Sequence, residues 1–146
     1  MPDADAFVVD ASVVAELFLP GPKTKAAERF LGDAPRRYRL IAPRTVVAEV
    51  AAAIARGVRR GALKPSEART AYSNWLQMLE DKLIEIVPDG DLLAPAFDLS
   101  LRLHHPLHDC IYVALAKSES AGIATCDTAL VPKCRALRIR AEAITA

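Results

Sequence analysis

Short runs of strand character alternate along this chain with longer segments of helical period, and that alternation limits the possible folds more than any other feature. Phe7-Val8-Val9, Tyr38 to Ala42, Leu83 to Val87, Gly122 to Thr125 and Arg138 to Ile144 read as strands. Between them lie segments that read as helices: Val13 to Leu19, Lys23 to Leu31, a long helix opened by Pro43, Pro65 to about Asp81, Leu92 to Leu103, Asp109 to Ser118 and Thr128 to Ala136. Strands separated by helices pair through right-handed crossovers, which predicts a mostly parallel five-stranded sheet covered by helices on both faces. At 146 residues, with no linker, repeat or low-complexity tract, the whole of 1–146 is expected to form one domain.

Local signals place the boundaries. Pro20-Gly21-Pro22 breaks the first helical stretch, Gly32 is positioned to end the second, and Asp33-Ala34-Pro35 reads as a turn. Pro43 fits the first turn of a helix whose apolar residues Val46, Val47, Val50, Ala53 and Ile54 share a face. In the next helix Tyr72, Trp75, Leu76 and Leu79 form the apolar face, and Tyr72 and Trp75 are read as core or dimer contacts rather than a base-stacking platform.

Composition removes several classes. No apolar run has the length of a membrane span, and the acidic Met1-Pro2-Asp3-Ala4-Asp5 is unlike a basic secretory signal, so a cytoplasmic protein with no membrane partner is expected. Cys110, Cys126 and Cys134 are odd in number and form no C-x-x-C pair, which reads as reduced, packed thiols. The net charge of +1 hides an asymmetry. Residues 36–69 carry nine Lys/Arg against two acids, whereas residues 70–100 carry one Lys against six acids. Arg56, Arg59 and Arg60, in the basic stretch, could contact RNA phosphates or simply face solvent. Lys133, Arg135, Arg138 and Arg140 are open to the same two readings.

Four acids stand at telling positions. Asp10 and Asp127 follow the first and fourth strands, Asp109 opens the helix before the fourth, and Glu49 projects from the helix after the second. Taken alone, Asp10 is better explained as a helix N-cap. In a parallel sheet, however, the carboxyl ends of the strands share one edge, which would put Asp10 and Asp127 on the same side. Carboxylates crowded together raise one another's pKa, and a divalent cation removes that cost. Hard oxygen ligands suit Mg²⁺ or Mn²⁺, which can orient water and stabilise the charge of a phosphodiester under attack.

In order and spacing, Val8-Val9-Asp10-Ala11-Ser12, Val46-Val47-Ala48-Glu49-Val50, the segment His105 to Ala116 and Ala124-Thr125-Cys126-Asp127 resemble the PIN-domain ribonucleases, most of all the VapC-like toxins of toxin–antitoxin systems. The resemblance implies a three-layer α/β/α sandwich and metal-dependent endonucleolytic hydrolysis of RNA. It makes Asp10 and Asp109 the principal Mg²⁺ or Mn²⁺ ligands. Glu49 would complete the cluster and help position the attacking water, and Asp127 would bind metal directly or through water. Ser12 and Thr125 would support the acids by hydrogen bonds. The resemblance also implies a homodimer held inactive by a small antitoxin protein. Where the family often has an aromatic before the third acid, this chain has His108.

The alternatives are an inactive RNA- or antitoxin-binding module of the same fold and a housekeeping RNA-processing nuclease. A zinc site built on His104, His105, His108 and Cys110 has H-x-x-x-H spacing, but Pro106 interrupts the helix and no further ligands are supplied, so these are read as loop or helix-entry histidines. A phosphatase with an aspartyl nucleophile would want a second Asp where Ser12 stands, and no Gly-rich turn follows the first strand to hold a dinucleotide.

Overall fold

The computed structural model describes residues 5–146; Met1-Pro2-Asp3-Ala4, most of the acidic N-terminal segment, lies outside the described residues. Five strands, β1 (Ala6–Val9), β2 (Arg39–Pro43), β3 (Glu85–Val87), β4 (Gly122–Thr125) and β5 (Ala141–Ala143), form one sheet in the order β3-β2-β1-β4-β5. Every neighbouring pair is parallel, so the sheet expected to be mostly parallel is entirely so. β1 and β4 are buried along their full length, which accounts for the unalternated apolar runs Phe7-Val8-Val9 and Ile123-Ala124.

Among the described residues, seven helices flank the sheet in an α/β/α arrangement: α1 (Ala11–Ala15), α2 (Thr24–Asp33), α3 (Thr45–Arg59), α4 (Pro65–Glu80), α5 (Leu93–Leu103), α6 (Leu107–Glu119) and α7 (Leu130–Ala136). α6 lies across β1, β2 and β4 and is buried from Cys110 to Ala116, while α5 stacks on its outer side. α3 packs on α1, β2 and α4. Trp75 of α4 is fully buried, and its indole N–H donates to the Val47 carbonyl at 3.1 Å, so its polar edge is satisfied inside the core. β1 and β4 meet at a close approach, because a Cβ added to Gly122 would stand 2.7 Å from the Phe7 ring. That ring also makes edge contacts with Phe30 and Tyr38.

The strand order positions the site. After β1 the chain adds β2 and β3 on one side, then returns to lay β4 and β5 on the other. Connections leave β1 and β4 in opposite directions, which opens a crevice at their carboxyl ends.

Several boundaries differ from expectation for identifiable reasons. Gly32 does not end α2; the helix continues to Asp33 and into a 3₁₀ turn over Ala34–Arg36 that contains Pro35. Pro43 is the last residue of β2, paired with Val87, and α3 begins at Thr45. The Thr45 N–H is capped by the carboxylate of Asp89, 44 residues away, which no local motif could announce. α1 stops at Ala15, α6 begins two residues earlier than Asp109, and α7 begins at Leu130 rather than Thr128. β5 is confined to Ala141–Ala143, and Arg138, in a left-handed conformation (φ 62°), belongs to the turn that closes α7, where the Ile139 N–H donates to the Cys134 carbonyl at 3.0 Å. On α4, Tyr72 and Leu76 are exposed, and Ala71 and Trp75 are the residues that are buried.

Candidate active site

Asp10 occupies the N-cap position of α1, but its carboxylate does not cap the helix. Both of its protein hydrogen bonds fall on Oδ2, from Thr125 Oγ1 at 2.7 Å and Ser12 Oγ at 3.0 Å. The direction of these bonds is fixed. Thr125 Oγ1 accepts from the Asp127 N–H at 3.0 Å, and Ser12 Oγ accepts from the Cys126 N–H at 3.1 Å. A hydroxyl has one proton, so with an amide donating into each oxygen, both hydroxyl protons go to Asp10. Ser12 therefore bridges β4 to Asp10.

Asp10 is 5% exposed. Burial pushes its carboxyl up to about 6; the Thr125 hydrogen bond opposes that rise, the Asp109 charge adds to it, and smaller contributions from Ser12 and Glu49 follow. The charges of Asp109 and Glu49 thus reach Asp10.

Glu49 sits in the middle of α3, half-buried, and its Oε1 accepts the Tyr112 hydroxyl at 2.7 Å. Tyr112 is fully buried on α6. Burial, then the charges of Glu49 and Asp10, push its phenol far above the usual range, so it stays a neutral donor. Asp109 lies in the first turn of α6, where the helix dipole favours negative charge. Asp127 follows β4, and its Oδ1 accepts the Ala129 N–H at 3.0 Å.

Asp109 and Asp127 are joined by His105, which the sequence reading took as a loop or helix-entry histidine. The ring of His105 is almost fully buried, and its Nε2 lies 2.9 Å from Asp109 Oδ2 and 3.0 Å from Asp127 Oδ2. Its Nδ1 lies 3.0 Å from Lys133 Nζ of α7. His105 and Pro106 link α5 to α6, and the link is short because His104 ends α5 in a left-handed conformation (φ 50°). Ser100 Oγ donates to the His105 carbonyl at 2.6 Å, which pins the backbone that carries the ring.

The donor set fits a hard divalent cation. Asp10, Glu49 and Asp109 each direct one oxygen to protein donors, and the other accepts no protein hydrogen bond among the described residues. No Lys or Arg forms an ion pair with any of the four acids among the described residues. The carboxylates are therefore crowded without a compensating cation, the condition that Mg²⁺ or Mn²⁺ relieves. His105, Asp109 and Asp127 draw together most tightly, with ligand atoms within 4.8 Å of one another. His104 and His108 are exposed outside this group, and the Cys110 thiol is buried against the His105 carbonyl.

Residues 7–133 match the PIN domain family. The chain belongs to the PIN-domain family. This PIN domain is 33% identical to Ribonuclease VapC3 of Pyrobaculum aerophilum over 132 residues, covering 89% of this chain and 95% of that protein. Among solved structures it resembles FitAB bound to the IR36 DNA fragment, with 18% identity, a TM-score of 0.70 and 94% of each chain covered. It also resembles a toxin–antitoxin complex from Klebsiella pneumoniae, with 15% identity, a TM-score of 0.54, and 84% of this chain and 88% of that chain covered. These two likenesses concern the fold.

Three residues of this PIN-domain site escaped sequence reasoning. Tyr112 could have been suspected as a phenol within an apolar helix, since a buried Tyr hydroxyl needs a partner. His105 stands four residues before Asp109, but Pro106 hides that relation, and Lys133 joins only through the fold. Arg56, Arg59 and Arg60 are not part of the acidic cluster; they are exposed at the end of α3 and the residue that caps it. By helical period Arg56 and Arg60 lie on the face that carries Glu49, with Arg56 roughly 10 Å along the axis. A groove of about 930 Å³ also lies apart from these acids, and its lining includes Lys25, Arg29, Arg36, Arg37 and Arg140.

Proposed function

We propose that this PIN domain is a metal-dependent endoribonuclease that acts as the toxin of a toxin–antitoxin pair. The observation that carries the reading is the meeting of Asp10, Glu49, Asp109 and Asp127 at the β1–β4 crevice, with Asp10 held half-neutral near pH 6 by burial and its acidic neighbours. A Mg²⁺ or Mn²⁺ ion held there supplies Lewis acidity toward a phosphodiester and lowers the pKa of water.

Asp10 and Asp109 are the principal ligands in this reading. Glu49, anchored by Tyr112, would complete the cluster and help position the attacking water with its second oxygen. Asp127 would bind the metal directly or through water, and Ser12 and Thr125 hold Asp10 as an acceptor. The exposed Arg56, Arg59 and Arg60 provide phosphate contacts along α3. The likeness to Ribonuclease VapC3 supports RNA as substrate. The toxin–antitoxin complex among the structural relatives supports a small antitoxin partner. The exposed apolar stripe Leu93, Phe97 and Leu101 on α5, at spacings of four, suits the homodimer expected of such toxins. We take residues 1–146 to act as one nuclease domain in the cytoplasm. No helix among the described residues is long and apolar enough to cross a membrane.

The test is RNA cleavage by the purified chain in Mg²⁺ or Mn²⁺, with Asp10→Ala alongside. Cleavage by the wild type alone is expected; equal cleavage by both would place the activity elsewhere. Co-purification of a small partner encoded beside this chain would distinguish a toxin from an RNA-processing enzyme.

A further inference from the structure

His105 raises a question of metal chemistry that the four acids do not. An imidazole whose Nε2 lies within 3.0 Å of two carboxylate oxygens would ordinarily be counted as a third ligand. A nitrogen ligand would move the site's preference away from Mg²⁺ toward transition metals. The other ring nitrogen decides the matter. Lys133 Nζ, 3.0 Å from Nδ1, carries only donors, so Nδ1 must be the acceptor of that bond. The single ring proton is then on Nε2, and a protonated Nε2 can donate to carboxylates but has no lone pair for a metal. Lys133 is itself held toward the ring, since Nζ also donates to the His104 carbonyl at 3.4 Å.

We propose that Lys133 fixes His105 as an Nε2–H donor shared by Asp109 and Asp127, so that this buried imidazole positions the two carboxylates and is kept out of the metal's ligand shell. Lys133 thereby determines metal identity from outside the acidic cluster, keeping an all-oxygen site where an imidazole lies within reach. His105 is a positioning residue in this scheme. One shared N–H holds Asp109 Oδ2 and Asp127 Oδ2 toward each other; Asp109 Oδ1 is left without a protein hydrogen bond among the described residues, and Asp127 Oδ1 accepts only the Ala129 N–H. This inference rests on the metal-dependent reading above.

The probe is Mn²⁺ bound to the full-length chain, examined by pulsed electron paramagnetic resonance for ¹⁴N coupling to the ion. Lys133 is half-buried and a Met has nearly its shape, so Lys133→Met leaves the packing in place while freeing Nδ1 to carry the proton. Wild-type protein is expected to bind Mn²⁺ with no histidine nitrogen coupling. Lys133→Met should acquire that coupling and bind Zn²⁺ about 10-fold more tightly or better relative to Mg²⁺. The pair Lys133→Met with His105→Gln should lose the coupling again. His105→Gln alone, whose amide can still donate, should retain Mn²⁺ binding, whereas His105→Leu should weaken it about 10- to 100-fold, as loss of a ligand-orienting partner does. Nitrogen coupling in the wild type would overturn the proposal while leaving the nuclease reading intact. Lys133→Met without nitrogen coupling would also overturn it. Failure of the wild type to bind Mn²⁺ at all would overturn both.

Discussion

Thr125 Oγ1 stands 2.7 Å from Asp10 Oδ2, donating to the buried carboxylate while accepting the Asp127 N–H. One hydroxyl thus ties the acid after β1 to the acid after β4. Thr125→Val removes the donor and strands the Asp127 amide, at a cost of about 1–3 kcal/mol in stability. Because this hydrogen bond lowers the Asp10 pKa, its loss should also move the acid limb of the activity profile to higher pH. Thr125→Ser should restore most of both. A pH–rate profile with the acid limb unmoved in Thr125→Val would show that Asp10 does not depend on the bond.

The raised pKa of Asp10 gives the metal-free protein an unusual pH dependence. The folded value lies near 6 and the unfolded value near 3.8, so the folded state binds more protons in that window. The contribution of Asp10 to stability is therefore largest below about pH 4 and declines as pH rises toward 6. Asp10→Asn should remove the decline and stabilise the metal-free protein at pH 7 by up to about 3 kcal/mol. With Mn²⁺ present the order reverses, because ligation needs the carboxylate: metal binding and activity should fall as pH drops through 6. Thermal melts of both proteins at pH 5 and 7.5, with and without Mn²⁺, check the two signs.

Tyr112→Phe deletes only the hydroxyl that holds Glu49 Oε1. A hydrogen bond to a charged acceptor is worth about 1.5–3 kcal/mol, so melting should fall measurably. If Glu49 positions the attacking water, the turnover rate should drop about 10-fold or more while RNA binding is unchanged. A variant with normal turnover would remove Glu49 from that role.

Gly122→Ala tests the close approach of β1 and β4. The added methyl would meet the Phe7 ring, which is hemmed in by Phe30 and Tyr38, and overpacking of this kind costs about 1–3 kcal/mol. Phe7→Leu in the same chain should recover part of the loss. Chemical denaturation of the single and double variants measures both.

Arg56→Gln with Arg60→Gln removes two exposed cations on the face of α3 that carries Glu49. RNA binding should weaken, and the slope of log affinity against log salt should decrease by about one for each phosphate no longer neutralised. An unchanged salt slope would make these residues solvent-facing only.

The sheet and the acids were legible in the sequence for a common reason. Asp10 and Asp127 stand where a buried strand gives way to polar residues, a change of pattern visible without the fold, and Ser12 and Thr125 flank them. Glu49 was visible as a lone acid in an Ala/Val-rich helix. What stayed hidden depends on partners distant in the chain. His105 gains meaning from Lys133, 28 residues later, and α3 is capped by Asp89 rather than by its own first residues. Gly32 and Pro43 misled for the opposite reason, since their local preferences were overruled by the burial of Leu31 and by the pairing of β2 with β3.

The bond between Asp10 and Thr125 spans 115 positions of the chain, and Asp127 lies beyond it. A polypeptide still emerging from the ribosome holds its first acid long before it can hold the site. The Thr125 hydroxyl that fixes Asp10 belongs to β4, which pairs with β1 on the side opposite β2 and β3. A chain cut short before that strand would carry Asp10, Glu49 and even Asp109 without the geometry that makes them reactive. Among the strands that carry the site, β4 is thus the later in chain order, and the acids that precede it depend on it for their geometry.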